Sequence, residues 1–274
     1  MSSVVDHVLL YDKPAGATSH DVVATVRRTL PRKTKVGHAG TLDPFATGLL
    51  LVLVGRATRA QRFFMALPKR YEVVARFGAV SSTGDPEGEI TETGRVPTGA
   101  LTLPTGQVRQ RPPAYSAVKV GGRRAYELAR AGAEVELAER EVTVYRFDEL
   151  WHEGDRRAFV IECSSGTYVR SLIADLGDAY CLELRRTRIG AFDVADADPG
   201  RPVALDEALA FLPEVALSGD TARRAAHGVR VDAPAIAVGP AGAVVRLTDA
   251  EGLIALAERV DDGAGLKPIV GFRG

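Results

Sequence analysis

The chain has 274 residues, of which 46% are hydrophobic and 26% are charged, and its formal net charge is zero. This composition is typical of a soluble globular protein, and the length is enough for one large domain and a small one. A net charge of zero excludes a global field that attracts nucleic acid, so any RNA-binding surface must come from local clusters of basic residues. Such clusters occur within residues 27–35, 109–124 and 185–188.

Cysteines, histidines and the N-terminus exclude further classes. Cys163 and Cys181 are the two cysteines, too few for a disulfide framework and suited to a reducing compartment. The histidines show no metal-ligand spacing with cysteines or carboxylates, so we predict no metal. Charged residues interrupt the N-terminus early, and the longest apolar run is too short to span a bilayer. We therefore expect a cytoplasmic protein that does not bind membranes.

The first predicted elements are a strand and a helix. Residues 4–11 have the pattern of a strand, and a turn at residues 12–16 closes it. Thr18 or Ser19 can then cap a helix that runs through residues 21–30.

A glycine-rich segment, residues 37–48, is the most informative stretch of the chain, and we call it the glycine loop. Its sequence is Gly-His-Ala-Gly-Thr-Leu-Asp-Pro-Phe-Ala-Thr-Gly, and an apolar run at residues 49–55 follows it. Glycine and proline shape such a backbone tightly, and the apolar run is typical of a buried strand. Asp43 thus lies at the mouth of a core strand. Taken singly, an Asp before Pro is more often a turn residue whose side chain bonds its own backbone.

The glycine loop resembles the motif II loop of the bacterial tRNA pseudouridine-55 synthases, the TruB family. The resemblance implies that Asp43 is a catalytic nucleophile, a role that suits a carboxylate able to form a covalent adduct that later departs. It also implies that the target uridine is flipped out of the RNA, with His38 filling the space or stacking on the remaining RNA. Whether Asp43 attacks C6 of the base or C1′ of the sugar stays open.

Two further segments match motifs of the same family. Lys13 begins Lys-Pro-Ala-Gly, which resembles the family's first motif beside the catalytic loop, and we assign Lys13 to the substrate-binding residues. After the core strand, the pattern predicts a helix at residues 56–67 and a strand at residues 69–80. Tyr71 lies in a Lys-x-Tyr motif, which implies that it lies against the target base and contributes to catalysis. We expect its strand to pair beside the strand that follows Asp43.

The middle of the chain carries a turn-rich loop and a basic, tyrosine-containing segment. At residues 81–88, Ser82 stands where the family usually has Asp, while Asp85 stays in register. Residues 110–119 resemble the family motif Pro-Pro-x-Tyr-Ser-Ala-x-Lys, which ends at Lys119. The resemblance implies a thumb-like loop at about residues 109–134 that clamps RNA, with Lys119 binding substrate.

The second strong signal is the sequence Gly-Thr-Tyr-Val-Arg, which follows strands predicted at residues 142–150 and 157–163. Arg170 lies in the first turn of a predicted helix, where its charge opposes the helix dipole unless an anion lies nearby. The segment resembles the family's Gly-Thr-Tyr-Ile-Arg, which implies that Arg170 pairs with Asp43 and that Tyr168 touches the base. Leu184 begins a Leu-Arg-Arg match, which implies contact with the flipped nucleotide.

The C-terminal part of the chain has a different pattern. A helix predicted at residues 204–212 ends the first domain, and residues 213–219 form the expected domain junction. After a short basic helix at residues 221–228 come short strand-like segments at residues 229–231, 235–238, 243–247 and 253–260, divided by glycine and proline. The predicted fold class is α+β: a pseudouridine-synthase-like catalytic domain (residues 1–214), with a central mixed, largely antiparallel sheet flanked by helices and loops. Residues 217–274 would form a small β-rich domain, and the family resemblance implies that it is a PUA-like RNA-binding domain.

The resemblance implies a tRNA pseudouridine synthase that isomerises uridine 55 of the T-loop, with a possible accessory role in tRNA folding. We expect the tRNA T-stem-loop as partner, no cofactor, no guide RNA and a monomer. One alternative is an RNA-binding or RNA-refolding protein that does not need Asp43. Another is a retaining glycosidase, which requires a second carboxylate about 5 Å from Asp43; the motif loops offer only Asp43 in a consistent setting.

Overall fold

The computed structural model describes residues 6–116, 118–125, 128, 131, 133, 137–232, 242–260 and 265–273. The strands are β1 (His7–Lys13), β2 (Val36–His38), β3 (Thr47–Val54), β4 (Lys69–Phe77), β5 (Ala79–Ser81), β6 (Ile90–Glu92), β7 (Gly106–Gln110), β8 (Lys119–Val120), β9 (Arg123–Arg124), β10 (Arg140–Glu153), β11 (Arg156–Cys163), β12 (Ala179–Ile189), β13 (Phe192–Asp193), β14 (Val203–Ala204), β15 (Glu214–Ala216), β16 (Val231–Asp232), β17 (Val244–Asp249), β18 (Gly252–Val260) and β19 (Gly265–Gly271). The helices are α1 (Ser19–Arg28), α2 (Gln61–Ala66), α3 (Val169–Ala174), α4 (Leu205–Ala208) and α5 (Gly219–Ala226), with 3₁₀ turns at Gly55–Ala60 and Val194–Asp196. Across the described ranges, every helix is too short or too polar to cross a membrane.

Ten of the described strands form the main sheet, in the order β14-β1-β3-β12-β4-β11-β10-β7, with β2 on β3 and β13 on β12. The pairing of β3 with β12 is parallel, and every other strand pair described in this sheet is antiparallel. The prediction of a mixed, largely antiparallel sheet is therefore confirmed.

Strand β3 is buried on both faces, which explains its unbroken apolar sequence. Leu49, Leu51 and Leu53 pack on one side, in a cluster that also contains residues of α2 and α4. The alternate residues of the strand face the other side, where they pack against the valines of α1. This double burial fixes the strand that begins where the glycine loop ends.

The local elements agree with the sequence pattern at most positions. Helix α1 begins at Ser19, and Thr18 caps it in a capping box with Asp21, as the cap prediction requires. The helix predicted at residues 56–67 is instead a 3₁₀ turn followed by α2. The helix predicted at residues 204–212 is confined to the four residues of α4, because its predicted first residue belongs to β14, which pairs with β1.

The expected pairing of the Tyr71 strand with the strand after Asp43 is wrong. Strand β12 lies between β3 and β4, and β4 pairs with β12 and β11. Local periodicity cannot predict this order, because β12 comes more than 100 residues later in the chain than β4. Tyr71 therefore lies opposite Arg186 of β12 and Ile161 of β11.

A five-stranded sheet with the order β15-β17-β18-β19-β16 follows, and the predicted β-rich C-terminal fold is confirmed. The predicted strand at residues 235–238 lies outside the described residues. Strand β15 lies in the segment expected as the domain junction, and it pairs parallel with β17. Leu256 of β18 and Phe272, which directly follows β19, pack in the same cluster as Phe64 of α2. Arg246 of β17 binds Asp206 of α4 at 2.6 Å, so the two sheets are joined by apolar and charged contacts.

Candidate active site

A pocket of about 240 Å³ lies between the glycine loop and the segment that leads into α3. Its lining residues come from both strong sequence signals and from the strands between them. They are Gly40, Thr41, Leu42, Asp43, Met65, Lys69, Tyr71, Ser116, Arg140, residues 164–170, Leu184 and Arg186.

Strand β1 and helix α1 hold the glycine loop in place. The carbonyl oxygen of Pro44 accepts hydrogen bonds from the backbone N–H of Gly16, at 2.8 Å, and from Nζ of Lys13, at 3.1 Å. One turn further on, the hydroxyl of Ser19 accepts from the N–H of Leu42 at 2.9 Å. The irregular part of the loop between β2 and β3 thus gains defined positions on both sides of its carboxylate.

Arg170 connects two carboxylates at the edge of the pocket. Its Nε lies 3.0 Å from Oδ2 of Asp43, and its Nη1 lies 3.0 Å from Oδ2 of Asp85. The same guanidinium donates to the carbonyl oxygens of Thr83, at 2.6 Å, and Tyr115, at 2.8 Å. These anions and carbonyls offset the unfavourable position of an arginine in the first turn of α3. The predicted proximity of Arg170 to Asp43 is present in the structure.

Asp85 is a member of this network that we did not predict as a site residue. Its exposed fraction is 4%, and its carboxylate also accepts from the hydroxyl of Thr83 at 2.5 Å. The sequence did contain a signal for Asp85, because it matches an Asp of the family pattern in the same loop where Ser82 replaces another Asp. The expectation that the motif loops offer a single carboxylate in a consistent setting is therefore wrong.

Burial and charge act in opposite directions on Asp43. Burial raises the pKa of its carboxyl above the ordinary value, and the negative charge of Asp85 raises it further. The positive charges of Arg170 and Arg186 lower the same pKa but do not outweigh burial. Arg170 therefore favours the ionised carboxylate, as expected, against an environment that favours the protonated acid.

Tyr71, Tyr168 and Leu184 all line the pocket with Asp43. Tyr71 is 8% exposed, and burial raises the pKa of its phenol, so the phenol is neutral near pH 7. The guanidinium of Arg140 lies 4.7 Å from the centre of the Tyr168 ring, a cation–π distance. The structure brings these three predicted residues together around one space.

Three other predicted residues are placed differently. His38 lies in β2, paired with Val52, and its ring is 5.8 Å from the ring of His20 rather than at the pocket lining. Lys13 has no exposed surface, and its amine donates to three backbone carbonyls. In this structure it supports the glycine loop and does not line the pocket. The side chain of Lys119 lies outside the described part of the structure.

Lys69 and Arg186 are basic pocket residues that our sequence prediction missed. Burial, with the nearby charge of Arg186, lowers the pKa of Lys69 to about 8. Its amine donates to the carbonyl oxygens of Met65 and Leu67, which ties β4 to the end of α2. Both residues belong to quoted motifs, but a basic residue in a strand is ordinarily expected to face solvent.

The histidine, cysteine and carboxylate side chains are the candidate metal ligands, and the cysteines are also candidate nucleophiles. Within the residues that the structure describes, His, Cys, Asp and Glu form no group of three or more that could hold a metal ion. Cys163 and Cys181 are both buried, and burial raises the pKa of the Cys163 thiol to about 11. Such a thiol is protonated at neutral pH and is a poor nucleophile.

Comparison with known proteins gives one consistent family. Residues 27–169 match the model of the TruB family pseudouridylate synthase N-terminal domain. A protein of Thermobifida fusca named tRNA pseudouridine synthase B is 43% identical over 99% of this chain and 100% of its own length. A Mycobacterium bovis protein with the same name is 40% identical over 100% of this chain and 98% of its own length.

Solved structures share the fold. The chain is similar to a protein in the crystal structure of a Cbf5-Nop10-Gar1 complex, with a TM-score of 0.69 and 25% identity over 96% of this chain and 83% of that one. It is also similar to a chain of an H/ACA RNP bound to a substrate RNA containing 2′-deoxyuridine, with a TM-score of 0.69 and 22% identity over 98% of this chain and 85% of that one.

Proposed function

The chain belongs to the TruB family and is a pseudouridine synthase, and from this premise we propose that it converts uridine 55 in the T-loop of tRNA to pseudouridine with Asp43 as the nucleophile. Relatives of nearly the same length, named tRNA pseudouridine synthase B, support the tRNA substrate. The observation that carries the proposal is the contact of 3.0 Å between Asp43 and Arg170 beside a pocket lined by Tyr71, Tyr168 and Leu184.

The reaction breaks the bond between uracil and C1′ of the ribose, turns the base and rejoins it through carbon. The base must leave the RNA stack, at a cost of about a few kcal/mol, before it can enter the pocket. Tyr71 would then stack on the uracil, while Tyr168 and Leu184 complete the contact surface. Asp43 would form the covalent adduct, at C6 of the base or at C1′ of the sugar.

The charges around Asp43 suit this role. The guanidinium of Arg170 stabilises the carboxylate that must attack, and the entering base would displace water and strengthen that interaction. Because the pKa of Tyr71 is raised by burial, its phenol is neutral and can donate a hydrogen bond. We assign to it the movement of the proton at C5, which requires the phenol oxygen to release its own proton as it accepts the one from C5.

Asp85 bears on the retaining-glycosidase alternative. A retaining glycosidase needs a second carboxyl group that protonates the leaving group and then activates water. Asp85 is a second carboxylate in the same network, but it is 4% exposed and bound to Arg170 and Thr83. A group held in this way is poorly placed to exchange protons with a sugar. The geometry therefore favours the synthase.

We also propose that the chain acts as a monomer in the cytoplasm, on tRNA and without a guide RNA. Its division into a catalytic domain at residues 1–214 and a PUA-like RNA-binding domain at residues 217–274 remains part of this proposal. The named tRNA synthases are 40% and 43% identical, against 22% and 25% for the chains in the H/ACA and Cbf5 structures, and this difference supports the stand-alone form.

The test is Asp43→Asn with Asp12→Asn as the matched control. Asp12 is also a carboxylate paired with an arginine, Arg185, but it lies on the surface. We expect Asp43→Asn to bind a T-stem-loop RNA and to release no tritium from C5-labelled uridine, while Asp12→Asn releases it at the wild-type rate. Normal release by Asp43→Asn would contradict the nucleophile assignment. RNA binding without turnover by the wild-type chain would favour the RNA-binding alternative.

A further inference from the structure

Arg186 carries a charge that neither the surface nor a salt bridge explains. It is 1% exposed and lines the pocket. Its neighbours Arg185 and Arg188 pair with Asp12 and Asp193, whereas no described carboxylate lies within salt-bridge distance of Arg186. A buried charge without a salt-bridge partner is costly, and such groups cluster at functional sites.

The hydrogen bonds of Arg186 join the middle of the glycine loop to the strand that follows it. Its Nη2 donates to the carbonyl oxygen of Gly40 at 3.1 Å and its Nη1 to that of Thr41 at 3.3 Å, just before the carboxylate. Its Nε donates to the carbonyl oxygen of Leu49 at 2.8 Å, just after the loop. One planar guanidinium thus holds the backbone on both sides of Asp43, which a single ammonium group cannot reproduce with the same geometry.

Arg186 also lies next to Tyr71. The two residues are directly opposite in the antiparallel pairing of β4 and β12, so their side chains are on the same face of the sheet. The positive charge of the guanidinium lowers the pKa of the Tyr71 phenol. Because arginine has only donors, any hydrogen bond between the two groups uses the phenol oxygen as the acceptor and leaves the phenol proton free.

We propose that Arg186 is a positioning residue for the isomerisation: its guanidinium holds the Asp43 loop and the Tyr71 phenol in register with each other across the pocket. This inference rests on the proposed function. Arg186 acts through these two groups, and its charge also favours the ionised forms of both. The positive charge lowers the pKa of Asp43 and of Tyr71, in each case against the larger effect of burial.

The experiment compares Arg186→Met, Arg186→Lys and the control Arg76→Met in single-turnover reactions on a T-stem-loop RNA, at pH values from 5 to 9. Arg76 of β4 is a partly exposed arginine that pairs with Asp155 and Glu92 and does not line the pocket. Thermal unfolding of each variant is measured in parallel.

We expect Arg186→Met to lower the rate of the chemical step at least 100-fold, with the RNA concentration at half-saturation changed less than threefold. The acid limb of its pH–rate profile should move to higher pH, because the variant lacks a positive charge that lowers the pKa of Asp43. Arg186→Lys should lose at least tenfold in rate and keep the wild-type acid limb, and Arg76→Met should stay within threefold of the wild-type rate.

Three results would overturn the inference. They are a rate for Arg186→Met equal to that of Arg76→Met, a loss confined to RNA binding, and an unchanged acid limb in Arg186→Met. If Arg186→Met does not fold, Arg186→Lys decides, and a wild-type rate in that variant refutes the positioning role. Failure of the wild-type chain to turn over the RNA would instead refute the proposed function.

Discussion

Replacing Arg170 by methionine tests how much the buried ion pairs of the site contribute to the free energy of unfolding. The side chain is 4% exposed and contacts the carboxylates of Asp43 and Asp85, each at 3.0 Å. Removing one member of a buried ion pair costs about 3–5 kcal/mol, because it leaves an uncompensated charge in the interior. We expect Arg170→Met to lose about this much of the free energy of unfolding at pH 7. Arg185→Met, which breaks a partly exposed pair with Asp12, should lose about 1 kcal/mol or less.

The pH dependence of the loss in unfolding free energy tests the role assigned to Arg170. The pKa of Asp43 in the folded protein is already raised by burial, and Arg170 is the main influence that lowers it. Without Arg170 this pKa rises further, so the folded variant binds a proton that the unfolded chain has released. A carboxyl group whose pKa is higher in the folded state than in the unfolded state stabilises the fold fully at pH values below its unfolded-state pKa. This stabilisation is lost as the pH rises through its folded-state pKa. Urea unfolding should therefore show a larger loss at pH 7 than at pH 4.5. Equal losses at both pH values would refute this explanation.

Two further predictions concern neighbours of the same site. Asp85→Asn removes a negative charge that raises the pKa of Asp43, so the acid limb of the single-turnover rate should move to lower pH; a shift to higher pH would contradict this sign. Gly48→Ala places a Cβ atom 2.3 Å from the backbone oxygen of Arg186 at a φ of +105°, and it should destabilise the protein by about 1–3 kcal/mol or more. Urea unfolding measures this loss, and Gly99→Ala, which meets nothing within 4 Å, is the control expected to change stability little.

The parts of the fold that depend on local pattern could be predicted from the sequence. Thr18 with Asp21 marks the start of α1, because a capping box needs only neighbouring residues. The unbroken apolar run of β3 predicts a strand that is buried on both faces. The order of strands could not be predicted, because the position of β12 between β3 and β4 depends on contacts between distant parts of the chain.

The candidate site shows the same division. Asp43, Tyr71 and Arg170 were found because each lies in a short segment with a distinctive sequence, and the structure brings them to one pocket. Arg186 was overlooked, since only the fold shows that this arginine of a basic Leu-Arg-Arg segment is buried while the adjacent Arg185 is partly exposed. The burial of Lys13 behind the glycine loop could not be predicted for a related reason, because it follows from tertiary packing.

The most direct test of the account is mass-spectrometric analysis of position 55 in tRNA from cells that lack this protein. We expect uridine at that position in the deletion strain and pseudouridine after complementation with the wild-type chain. Complementation with Asp43→Asn should leave uridine. Pseudouridine at position 55 in cells that carry only Asp43→Asn, or in cells without the protein, would contradict the central claim.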